Sequence, residues 1–137
     1  MTRWKEALGK KNGRNIVSQL GAVFYVLWGL LHLVASYQVF KLGSGQSSGM
    51  IKGRIYQHAW NLACIALVVP VIAVVYSWNN NLFGYWLNLA TTSVTDIGFI
   101  LFVVVPGHLP LKFSIPGPLL WMLAVIFSTV GILSYHT

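Results

Sequence analysis

Acidic side chains are almost missing from this chain. Only Glu6 and Asp96 carry a carboxylate among 137 residues, against nine Lys and Arg, so the formal charge is +7. Charged residues of both signs make up 8%, whereas a soluble domain carries about 25%. That scarcity excludes an ordinary soluble fold. With 56% of residues hydrophobic and a mean hydropathy of +0.69, too little polar surface exists to cover a core. The composition is that of an integral membrane protein.

Cysteine is just as scarce. Cys64 stands alone, which leaves no disulfide framework and no CxxC redox or zinc motif; in its apolar run it reads as packing. The chain also lacks a P-loop, a GxGxxG, a GxSxG and a kinase signature, so nucleotide-driven chemistry and serine hydrolysis have no support. The positive charge does not point to nucleic acid as a partner. Arg3, Lys5, Lys10, Lys11 and Arg14, then Lys41, Lys52 and Arg54, flank apolar runs instead of covering a surface. Basic flanks of that kind set membrane topology and meet anionic headgroups.

Long apolar runs are what the sequence does have. A spanning helix needs roughly 20 apolar residues, and four segments qualify: 16–40, 55–76, 82–105 and 119–135. The expected fold is an all-α integral membrane four-helix bundle, up-down-up-down, preceded by a basic interfacial segment over 1–15. The first apolar run is far longer than the 7–15 residues of a signal-peptide core, so it reads as a retained helix. Gly/Ser-rich 41–54, the polar turn 77–81 and Pro-rich 106–118 are the expected connections. Lys/Arg counts in the short flanks favour both termini on the cytoplasmic side.

Asp96 lies inside the third run, where a carboxylate costs roughly 2.5–3.5 kcal/mol on insertion scales. Such a group turns toward the bundle interior and finds partners. At about 1.5 Å per residue, Asp96 falls roughly 4 Å and His32 roughly 7 Å outward of the midplane, with Asn61 near His32 and His58 a turn further out. On the first helix Tyr25, Trp28, Gly29, His32 and Ser36 share one side; on the second Ile55, His58, Asn61 and Cys64 do; on the third Asn88, Thr92, Ser93 and Asp96 do. Three such stripes facing one another would form a polar pocket in the outer half. The candidate acid/base residues are Asp96, His32 and His58. The candidate ligand-contacting residues are Asn61, Trp28, Trp60, Thr92, Ser93, Tyr25 and Trp121.

Competing uses of the same groups stay open. The polar residues could simply clamp helices together, since small hydroxyls are common at membrane helix interfaces. His32 and His58 could hold a haem between the first two helices, or join Asp96 in a two-His-one-carboxylate metal set, although neither has a supporting motif. The leading expectation needs no cofactor: an enzyme doing isomerase- or cyclase-type acid/base chemistry on a lipophilic substrate. The alternatives are a non-catalytic accessory subunit of a membrane complex and a proton-coupled carrier. The implied partners are the lipid bilayer, a lipophilic small molecule, and another membrane protein or a second copy.

Overall fold

The computed structural model describes residues 2–136, and side chains from 16 to 135. All the regular structure among them is helical. Helix α1 runs Thr2–Ser44, α2 Met50–Val75, α3 Leu82–Phe99, α4 Leu111–Ser114 and α5 Pro116–His136. Four stretches are long and apolar enough to cross a membrane: Ile16–Ser44, Met50–Asn79, Leu82–Val104 and Leu111–Tyr135.

The helices outrun the sequence expectation at several ends. The backbone of α1 is already helical from Thr2, so residues 2–15 run without a break into the first candidate span at Ile16. Arg, Lys, Glu, Ala and Leu in that stretch are strong helix formers. Helix α2 starts at Met50 and absorbs Lys52, Gly53 and Arg54, which shortens the expected 41–54 loop to residues 45–49. The 106–118 loop contains α4, and α5 opens at Pro116, where the fixed φ of proline suits a first helical turn. The 77–81 turn is a 3-10 helix over Ser77–Asn79, followed by Asn80 in the left-handed region at φ 57°. Asn81 then caps α3 by accepting from the Phe83 and Gly84 N–H groups, satisfying two of the donors a helix start leaves free.

Helix α1 packs along both α2 and α5, and α3 closes the ring against α2 and α5. The buried face of α1 carries Ser18, Ala22, Tyr25, Trp28, His32 and Ser36, at helical spacing. Helix α2 presents Ala59, Leu62, Ala66, Val69 and Ala73, and α3 presents Gly84, Asn88, Thr92 and Asp96. Helix α5 adds Ala124, Ser128 and Ile132. Large apolar side chains such as Leu30, Val34, Leu67, Val71, Val94 and Phe102 lie on the outside. Polar groups inside and hydrocarbon outside is the arrangement a bilayer selects, because lipid offers no partner for an outward polar group.

Two close approaches fix α1. A Cβ on Gly29 would strike the Pro70 ring and come within 2.6 Å of the Ala66 carbonyl oxygen. Pro70 has no N–H for that carbonyl, so the bare Gly29 backbone meets α2 where its ladder is open. A Cβ on Gly21 would lie 2.6 Å from Ser128 Oγ on α5. The Ser36 hydroxyl adds a 2.7 Å bond to the Ala59 carbonyl. Small residues therefore draw the helices together.

Candidate functional site

The site is built outward from Asp96. Its side chain is fully buried, two turns along the α3 face that begins at Asn88. Oδ2 accepts a 2.6 Å hydrogen bond from the Trp28 indole Nε1–H of α1, a short charge-assisted geometry. Oδ1 has no hydrogen-bond partner and stands 3.7 Å from His32 Nε2. That exceeds hydrogen-bond length.

Trp28 and His32, one turn apart on α1, are held as a unit. The imidazole stacks on the indole with centroids 3.8 Å apart and planes 24° from parallel. Its Nδ1 lies 2.8 Å from the Trp28 carbonyl oxygen. A carbonyl only accepts, so Nδ1 carries the hydrogen. In neutral His32 that leaves a lone pair on Nε2, aimed at the Asp96 oxygen that also lacks a donor. Two acceptors face each other at 3.7 Å with a place for one proton between them.

The first turn of α5 covers the pair. A Cβ added to Gly117 would sit 3.5 Å from His32 Cε1, 3.7 Å from Asp96 Oδ1 and 3.8 Å from Leu31 Cδ2. Buried Gly117 thus lies against the edge of the His32 ring and Asp96 Oδ1, and a methyl there would meet both in ordinary contact. On the next turn outward, α3 passes from α-helix into a π-helical turn over Ile100–Val104, a local widening often found beside functional sites.

Of the residues expected at the site, the fold brings together Asp96, His32, Trp28, Tyr25 and Thr92, all buried. Ser93 and Trp121 pair with each other one step around α3, indole N–H to hydroxyl at 3.1 Å, so they tie α5 to α3 beside the centre. The α2 members are not there. His58, Asn61 and Trp60 are exposed, with Trp60 70% accessible, and Cys64 shares that outer face instead of packing inside. Alanine spacing explains the correction: Ala59, Ala66 and Ala73 let α2 approach α1 closely, and that packing outweighs the polar stripe in setting the rotation of α2. The alternative haem pair and two-His-one-carboxylate set are not assembled in this arrangement, since His32 is buried and His58 faces outward. Among the described residues, no three His, Cys, Asp or Glu side chains converge. His108 is exposed on the 106–110 connection.

The centre also has members absent from the expected set. Asn88 is fully buried below Thr92 and donates to Ser77 Oγ at 3.3 Å. Ser128 and Gly117 complete it from α5. The small-residue line Ala124, Ser128 on α5 was the available signal for Ser128; nothing in the local sequence marks Gly117. No protein-family model, curated protein or solved structure matches this chain.

Proposed function

We propose that this chain is a multi-pass membrane protein, up-down-up-down with both termini on the cytoplasmic side, whose Asp96–His32 pair is an acid/base centre for a lipophilic substrate. The observation that carries this reading is the pair of facing acceptors, Asp96 Oδ1 and His32 Nε2 at 3.7 Å, each fixed from behind by Trp28 and sharing room for one proton. The chemistry such a pair can do is proton relocation. One proton leaves the pair to form a C–H bond at an electron-rich carbon of the substrate. A second C–H bond breaks at a neighbouring carbon and returns its proton to the pair, so nothing is consumed. Gly117 and Leu31 are the neighbours that a substrate would displace or slide past to reach the pair.

The test is Asp96→Asn. The amide preserves shape and still accepts from Trp28, yet it cannot take up the proton. With a molecule that co-purifies in mild detergent as substrate, the variant folds with unchanged helicity and turnover falls by about 10²–10⁴-fold, the usual contribution of a positioned acid/base group. Full activity in Asp96→Asn refutes the reading.

A second reading, an accessory subunit or self-associating chain, is favoured by the outer face of α2. Gln57, His58 and Asn61 are exposed there, on a span whose other outward residues are largely apolar. Amide and imidazole groups at lipid depth seek partners on another helix.

A further inference from the structure

Three buried side-chain atoms among the described residues lack a hydrogen-bond partner: Asn88 Oδ1, Tyr25 Oη and Asp96 Oδ1. All three belong to fully buried residues. A buried polar atom left dry is destabilising, so three in one small bundle call for an explanation. They are not scattered. Asn88, Thr92 and Asp96 stand at successive turns on one face of α3, about 6 Å apart along the axis. The Tyr25 hydroxyl from α1 lies beside Thr92 and Ser128 without a well-formed bond to either. The Ser128 hydroxyl gives its hydrogen to the Ala124 carbonyl at 2.6 Å, which turns its lone pairs toward the same line.

Below Asn88 the line opens. Ser77, which accepts from the Asn88 amide, borders a cavity of about 10 Å³ together with Ser18, Asn80, Asn81, Tyr85 and Ser128. That is about the room one water molecule needs, and Ser77 Oγ, Ser128 Oγ and Tyr85 Oη at its border each hold one partner and keep lone-pair capacity for another. The cavity sits at the 77–81 turn, the end of the bundle away from Gly117.

We propose that ordered water occupies this cavity and continues past Asn88, Tyr25 and Thr92 to Asp96 Oδ1, forming a proton route from the 77–81 turn to the Asp96–His32 pair. The proposal deepens the acid/base reading and rests on it. Bridging waters satisfy the three orphan atoms and span the helical turns that no direct side-chain bond covers. In the transfer, a water at the turn takes up a proton and releases another to its neighbour. The Tyr25 oxygen receives one proton as its own hydroxyl proton moves on, and the last O–H bond breaks as one forms at Asp96 Oδ1. Asn88 and Thr92 position water and carry no proton. One proton passes from solvent to the pair, and every side chain on the way ends as it began.

The Trp28 indole proton reports on the route, because it is donated to the same carboxylate while being shielded from solvent. The experiment measures its exchange with D2O by NMR in the full chain labelled with ¹⁵N-tryptophan, the signal being identified by its loss in Trp28→Phe. The expected result is exchange at least tenfold faster than the backbone amides of α3, slowed at least tenfold in both Tyr25→Phe and Asn88→Leu with α3 amide rates unchanged. An indole proton no faster than those amides overturns the proposal, as does an equal rate in Tyr25→Phe, or slowing shared by the α3 amides. These outcomes are independent of Asp96→Asn turnover: a dry route with an inactive Asp96→Asn refutes the water line alone.

Discussion

Trp28 joins the features of the centre at the scale of single residues. Its indole N–H holds Asp96 Oδ2, its ring stacks on His32, and its carbonyl accepts from His32 Nδ1. Placing all three on one fully buried side chain and its backbone means that the orientation of acid and base is set by α1, while Asp96 itself comes from α3. Trp28→Phe separates these roles. The phenyl ring can still stack, but the buried carboxylate loses its one strong donor. We expect a loss of about 1–3 kcal/mol, read as a lowered thermal midpoint in detergent, and lower activity from a carboxylate free to rotate. A midpoint equal to wild type would show that Asp96 finds another donor.

The contact between α1 and α2 decides at the level of elements which side chains reach the centre. Gly29 meets Pro70 and the Ala66 carbonyl, and this contact sets the rotation that turns Ala59, Ala66 and Ala73 inward and His58 and Asn61 outward. Gly29→Ala forces the helices apart at that point, for an expected loss of about 1–3 kcal/mol from overpacking. Gly53, also on α2, has nothing within 4 Å of where a Cβ would stand. There the same substitution is neutral or slightly stabilising, since alanine is the better helix former. Thermal unfolding of the two variants side by side checks the contrast. Equal effects would remove the close approach as the reason for the glycine.

Considered as a whole molecule, most polar groups at the middle of the described spans turn inward, and the outer face of α2 with Gln57, His58 and Asn61 is the largest cluster that does not. On the docking reading this face meets another helix, and Asn61 is well suited to a second copy because an amide both donates and accepts. Cys64, exposed one turn further along, provides a native reporter. Wild-type protein in lipid bilayers is expected to crosslink through Cys64 under mild oxidation, and Asn61→Leu to abolish the crosslink without unfolding. A wild-type chain that stays uncrosslinked and monomeric removes self-association through α2.

The sequence by itself determined the class. Four apolar runs of spanning length, basic flanks and a near absence of acid leave a helical membrane bundle as the physical solution, because backbone polar groups in hydrocarbon must be satisfied within each segment. It also gave reason to turn Asp96 inward, since one costly carboxylate has few places to go, but it set His58 and Asn61 beside that carboxylate on the same terms as His32 and Trp28. Tertiary structure alone decided the rotation of α2. Its polar and its small residues form competing stripes, and helical periodicity cannot say which one a neighbour will select. The same limit hid Gly117, which matters only through its contact with His32 and Asp96 on other helices. It also hid the run of unpartnered oxygens from Asn88 to Asp96, which exists only where α1, α3 and α5 come together.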